Sequence, residues 1–306
     1  MLKQHTLPHK ILFEDLTIFI AVSSNKKAYL CGQKQDTVKK IILFTGFILL
    51  VFNSCGEYNF LLKINDPEYK YSYAKKYYNQ KKYVRSATLL EDIIHYFRGR
   101  PEAEESLYIL AMSLYGQKDY SNASEYFKSY YNTYPKGEFT ELARFYGAYG
   151  LYLDSPDPRL DQNQTYESIS QFLMYLEYYP QSERAKQAQE ILFELQEKLA
   201  YKEYLAAKLY YNLGTYLGNN YTSCIITAEN ALKSYPDTKY REELVYLVIC
   251  SKFELAVVSI DERLQGRYRD VVDEYYNYMN EFPEGKYVKQ ITKYFDFATN
   301  KIEKRY

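Results

Sequence analysis

Few side chains in this sequence have the type and spacing that chemistry needs. Of three histidines, His5 and His9 lie near the N-terminus, which leaves His95 alone in the body of the chain. Nucleophilic triads and histidine metal sites normally need more than one such group. His95 reads as a helix-end residue, where partial positive charge is favourable. Glu102, Glu104 and Glu105 cluster at the start of an expected helix, a placement that the helix dipole explains without catalysis. Gly214-Thr215-Tyr216-Leu217-Gly218 lacks the lysine of a phosphate-binding loop. No catalytic constellation, metal site or cofactor is therefore expected. Two kinds of group remain: a thiol, Cys55, and an aromatic ladder formed by Tyr71, Tyr78, Tyr108, Tyr115, Phe145 and Tyr152. The rings could receive an aromatic segment of a partner, each buried ring adding ~1 kcal/mol beyond area burial. They could equally be core, the ordinary fate of an apolar stripe at helical spacing.

The elements that carry the ladder are repeats. Ala74, Ala111 and Ala148 stand 37 residues apart; Tyr78, Tyr115 and Tyr152 follow them by four, and Tyr71, Tyr108 and Phe145 precede them by three. Such an i, i+3, i+7 set lies on one helix face, with an alanine that permits close approach between flanking rings. A polar turn follows, Asn79-Gln80-Lys81-Lys82 or Gly116-Gln117-Lys118-Asp119, and a second helix opens at Tyr83 or Tyr120. Tyr120 and Pro135, Tyr221 and Pro236, and Tyr268 and Pro283 each stand fifteen residues apart. Proline cannot continue a helix and so separates the repeats. With Tyr179-Pro180 included, the pattern resembles the tetratricopeptide repeat and predicts an all-α superhelix of about five helix pairs. The longer intervals predict a loop insertion at Asp154-Ser155-Pro156-Asp157-Pro158, an extra helix over Glu183 to Leu199 ahead of a helix near Tyr201 to Leu217, and a long helix from about Lys239 to Arg263. First helices of the pairs are expected to line the concave side, a surface for partners.

Composition narrows the partners. Lysine plus arginine equals aspartate plus glutamate at 39 each, so no net field draws the chain to nucleic acid or to an anionic membrane surface. There are 39 tyrosines and no tryptophan, which suits helices packed through amphipathic rings. Lys39 and Lys40 precede an apolar run from Ile41 to Phe52, followed by Asn53-Ser54-Cys55-Gly56. That run matches the core of a secretory signal; a core helix is the alternative. With the cysteine where cleavage would fall, it resembles a bacterial lipoprotein signal, whose cysteine becomes the acylated N-terminus. Residues 1–37 fit no leader design and read as a gene-model extension before a start at Val38. The expected layout is signal 38–54, tether 55–66, three N-terminal repeats over 67–182, and two C-terminal repeats with the extra helix over 183–300. Cys224 and Cys250 could pair in an oxidising compartment, but their spacing does not demand it, and small buried thiols are the better reading.

The lipoprotein signal, the five repeats, Tyr69 to Tyr83, Asp157-Pro158 in the third repeat, Leu199-Ala200-Tyr201-Lys202-Glu203-Tyr204 and Tyr235-Pro236-Asp237-Thr238 together resemble the BamD family, lipoproteins of the outer-membrane β-barrel assembly machinery. The resemblance covers about residues 55 to 300. It implies a non-enzymatic subunit anchored in the outer membrane by a lipid on Cys55 and facing the periplasm. Its N-terminal repeats would recognise unfolded β-barrel proteins, its C-terminal repeats would contact the periplasmic domains of BamA, and other assembly lipoproteins could attach. Two other readings stay open on the residues alone. One is a helical-repeat lipoprotein that binds glycans beside a transporter, and the other is an adaptor for cell-wall enzymes.

Overall fold

The computed structural model describes residues 54–303. Residues 1–53, and with them the Val38 start and nearly all of the signal segment, lie outside the described residues. The chain divides into two units, Met1–Asn65 and Asp66–Tyr306. In the first, the stretch expected as a tether carries a helix, α1 (Ser54–Lys63), with Glu57 in its first turn and Lys63 in its last, both placed to suit the helix dipole.

The second unit holds α2 (Pro67–Asn79), α3 (Tyr83–Ile93), α4 (Glu102–Gly116), α5 (Tyr120–Thr133), α6 (Thr140–Asp154), α7 (Asn163–Tyr178), α8 (Ala185–Leu213), α9 (Asn220–Ser234), α10 (Arg241–Val257), α11 (Asp261–Glu281) and α12 (Val288–Glu303). A 3₁₀ turn, Ile94–Phe97, extends α3. Among the described residues every regular element is a helix, and no helix is long and apolar enough to cross a membrane. Each helix packs on the next in chain order, giving five pairs, α2/α3 to α10/α11, with α12 covering the last. First helices also approach the first helices of neighbouring pairs: α2 meets α4, α6 meets α8, α8 meets α10 and α10 meets α12. No second helix approaches another second helix comparably among the described residues. First helices therefore line the inner side of the stack, as the repeat reading predicts.

Local chemistry sets the boundaries. Asp66 caps α2 by accepting from the Tyr69 N–H at 2.9 Å, and Pro67 takes the first helical position, where no N–H is needed. Second helices end on an aromatic residue before proline: the Tyr134, Tyr179 and Tyr235 amides each reach back four residues to a carbonyl at 2.8 Å. A carboxylate near the start of the preceding first helix then holds the turn. Glu104 Oε1 accepts from the Tyr130 hydroxyl at 2.6 Å and the Glu138 amide at 2.8 Å. Glu242 Oε1 accepts from the Tyr278 hydroxyl at 2.6 Å and the Lys286 amide at 2.7 Å. Glu141 does the same work through Tyr175 and Ser182, at 3.2 and 2.5 Å. The dipole account of the early carboxylates is thus incomplete, because Glu104 is also a staple between pairs.

Small residues sit where helices touch. Ala74, Ala111 and Ala148 are fully buried. Ser113 donates to Ser86 at 3.1 Å between α4 and α3, and Ser124 donates to the Gly147 carbonyl at 2.8 Å between α5 and α6. A methyl group on Gly116 would fall 2.5 Å from the Tyr83 ring, so this turn admits no side chain.

Two expectations need correction. The extra helix over Glu183 to Leu199 is not separate from its successor, because α8 runs unbroken through 29 residues. Nothing between Gln196 and Tyr204 can stop it, since the segment holds no glycine or proline. It ends where Gly214 turns to φ +54°. The long helix expected to Arg263 instead ends at Val257. Arg267 Nη1 donates to the Leu255 carbonyl at 2.9 Å and Ser259 Oγ to the same oxygen at 2.5 Å, so side chains take over the last turn. The loop insertion of the third pair is present between α6 and α7.

Candidate functional site

The six ladder residues fall into two columns on the first helices. Tyr71, Tyr108 and Phe145 form one. Tyr108 is 9% exposed and stacks at 4.3 Å on Phe139, the residue that opens α6. Phe145, 3% exposed, packs against Phe172 and Tyr175 of α7, at 5.9 and 5.5 Å, with the Arg184 guanidinium over its ring. The same stacking recurs further on, where Tyr204 meets Tyr240 at 5.6 Å and Tyr246 meets Tyr287 at 3.8 Å. This column joins one pair to the next. Tyr71, at its N-terminal end, is half-buried and donates to Glu105, which also takes Lys75 Nζ at 2.8 Å. Burial and then Glu105 push the Tyr71 hydroxyl up. Against the upward push of burial, Lys75 and Tyr71 together hold the Glu105 carboxyl below its usual range.

Tyr78, Tyr115 and Tyr152 form the second column, and all three are half-buried. Tyr115 meets Tyr120 and Tyr146 edge-on at 5.3 and 5.4 Å and lies 6.5 Å from Tyr149. Tyr149 in turn stacks on Tyr152 at 5.6 Å. Burial raises the Tyr78 and Tyr115 hydroxyls, with smaller contributions from neighbouring phenols that include Tyr146. The Tyr152 hydroxyl donates to Glu194 Oε2 at 2.5 Å, and that bond, ahead of burial, pushes it up to about 12. Rings with one face packed and phenols drawn together from α2, α4 and α6 make a surface that is apolar yet rich in hydrogen-bonding groups. Tyr146 and Tyr149 belong to it although the 37-residue period does not mark them. Their spacing of one and four residues beyond Phe145 was the available signal.

A cleft of about 430 Å³ continues this side along α8. The third-pair loop supplies Pro158, α8 supplies Phe193, Lys198 and Tyr201, and the turn before α10 supplies Asp237 and Tyr240. The loop is held on α8 because Lys198 Nζ donates to the Ser155 hydroxyl and carbonyl at 2.6 and 3.1 Å and Lys202 Nζ to the Leu160 carbonyl at 3.0 Å. Burial lowers the Lys198 ammonium. Glu197, itself buried, accepts from the Lys239 amide at 3.3 Å and fixes the opposite wall. Phe193 is 53% exposed at this mouth. An apolar floor with both charges at its rim suits an extended segment of another chain better than a small molecule that must be enclosed.

Among the described residues, no three of His, Cys, Asp and Glu gather as metal ligands would. Cys224 and Cys250 are free and buried, and burial pushes the Cys250 thiol up to about 12. Cys55 lies in the first turn of α1.

A protein of Aquifex aeolicus (strain VF5), which bears the provisional name of outer membrane protein assembly factor BamD, is 26% identical over 258 residues, 84% of this chain and 82% of its own. The model of the YfiO family, described as outer membrane lipoprotein, matches residues 64–249. That span runs from the last residues before α2 into α10 and takes in both tyrosine columns and the cleft. The match covers more than half of the chain, and the protein belongs to the YfiO family of outer membrane lipoproteins.

Proposed function

We propose that this chain is a binding scaffold in outer-membrane protein assembly, without turnover chemistry, and needs no cofactor beyond a lipid on Cys55. The lipid holds it on the periplasmic side of the outer membrane. The inner face of the first three pairs takes unfolded segments of β-barrel proteins, and the C-terminal pairs hold the periplasmic domains of BamA, as the family resemblance implies. The name of the Aquifex relative supports the assembly role. The observation that carries the substrate reading is the half-buried tyrosine surface of Tyr78, Tyr115, Tyr146, Tyr149 and Tyr152. Alternating apolar rings and hydroxyls match an extended strand whose side chains alternate and whose backbone groups are still unpaired.

A labelled peptide that ends in the aromatic C-terminal segment of a barrel protein tests this. Tyr78→Ala with Tyr115→Ala is expected to weaken its binding by about tenfold, roughly 1.4 kcal/mol, with helicity unchanged. Unaltered affinity with intact helicity would assign the second column to packing as well. Recovery of BamA with the tagged, membrane-extracted protein tests the scaffold half of the reading.

A further inference from the structure

Helix pairs in a stack place every turn within a pair on one edge and every proline turn on the other. Along the first edge the chemistry changes. The first two turns present Lys81, Lys82, Lys118 and Asp119, and the third carries Asp157, Arg159 and Asp161. The fourth and fifth present Tyr216 and Leu217, then Val258 and Ile260. These two turns lie at the same end of neighbouring pairs. Tyr211 and Tyr221, which flank the fourth turn, are 6.0 Å apart, and both hydroxyls feel Glu254, one turn before the fifth.

Nothing in the fold explains these apolar tips. Leu217 is 90% exposed, Tyr216 67% and Ile260 65%. Leu217 also has φ +53°, a left-handed conformation that is unfavourable for leucine. Lys81 and Lys118 take the same left-handed conformation in the first two turns, φ +59° and +65°, so the conformation does not call for an apolar side chain. No charged residue occurs between Leu209 and Ala228, or between Leu255 and Ile260.

We infer that the turns of the fourth and fifth pairs form a membrane-contacting edge that dips into the interfacial region of a phospholipid bilayer. The family places the protein at the outer membrane, so a bilayer is within reach. The tips are exposed, hold no charged residue within the turns, and carry a tyrosine, a leucine, a valine and an isoleucine. Tyrosine favours the headgroup level and the aliphatic residues the acyl boundary below it. Apolar tips of this kind also occur in protein interfaces, and the test below separates the two.

The chain has no tryptophan, so a single introduced indole reports its own surroundings. Leu217→Trp and, as the comparison, Lys118→Trp are made one at a time in the full chain; neither position is in a core. Each is mixed with phosphatidylethanolamine–phosphatidylglycerol vesicles, with and without brominated acyl chains. The expected result is a blue shift and bromine quenching at position 217 and neither at 118, with Tyr216→Ser cutting vesicle binding at least threefold. No response at 217, or equal responses at both positions as from adsorption through another segment, overturns the inference. So does a shift at 217 that appears without lipid, on raising chain concentration or on adding a co-purified protein, because the edge is then a protein interface.

Discussion

The first three pairs and the last two share one architecture and differ in what they leave uncovered. In both regions a first-helix ring stacks on the residue that opens the next first helix, as Tyr108 does on Phe139 and Tyr246 on Tyr287. In both, an early glutamate staples the next proline turn, as Glu104 and Glu242 do. Half-buried phenols line first helices in both, but the first region adds Tyr146 and Tyr149 to its second column and carries charged residues on its turn edge. In the second, the fourth pair buries small and aliphatic residues around Cys224, the fifth buries Tyr268 and Tyr278, and both leave apolar side chains on their turn tips. Positions that join pairs are therefore architectural in either region, and function is to be sought in the positions where the regions diverge.

The largest expected effect separates the cores. Phe172 is completely buried against Phe145 in the third pair, and Phe172→Ala should cost about 3–5 kcal/mol in chemical denaturation. Cys224→Ala in the fourth pair removes a much smaller group and should cost about 1 kcal/mol or less. Equal costs would break the distinction between an aromatic and a small-residue core.

The staples should not distinguish the regions. Glu104→Ala and Glu242→Ala each strand a tyrosine hydroxyl and a backbone amide, and each should cost about 1–3 kcal/mol. A large disparity would mean that the two turns are held by different means.

A smaller effect appears in alkali. The folded chain raises the Tyr152 phenol to about 12, above an unfolded value of about 10, so the folded state keeps a proton that the unfolded state has lost. The stability this contributes is complete below about pH 10 and is lost as pH rises toward 12. Tyr152→Phe should therefore lower stability at neutral pH, where the bond to Glu194 is intact, and make helicity less sensitive to pH in that window, as followed by circular dichroism. The smallest expected signal is chemical. The buried Cys224 and Cys250 should resist a thiol reagent at pH 8 and react only as the chain unfolds; rapid native labelling would show that the second region opens locally.

Much of the fold was legible because a repeat states its packing several times over. Ala74, Ala111 and Ala148, and the prolines after Tyr134, Tyr179 and Tyr235, each mark a contact or a stop that local chemistry enforces. Continuity through Ala200 was harder to read, since a repeat period suggests a boundary that only a breaking residue can supply, and none is there. The ladder positions were legible as one helical face, but a face does not show which ring the next pair covers. Tyr108 and Tyr115 look equivalent in the sequence and are not.

The order of elements, the small residues at helix contacts and the balance of charge follow from the sequence itself, because they rest on backbone propensity, side-chain size and periodicity. Which tyrosines are sealed and which stay half open, the cleft among Pro158, Phe193 and Tyr240, and the gathering of apolar tips on one edge were decided only by the tertiary structure. These depend on how successive pairs are stacked, which brings together residues more than thirty positions apart.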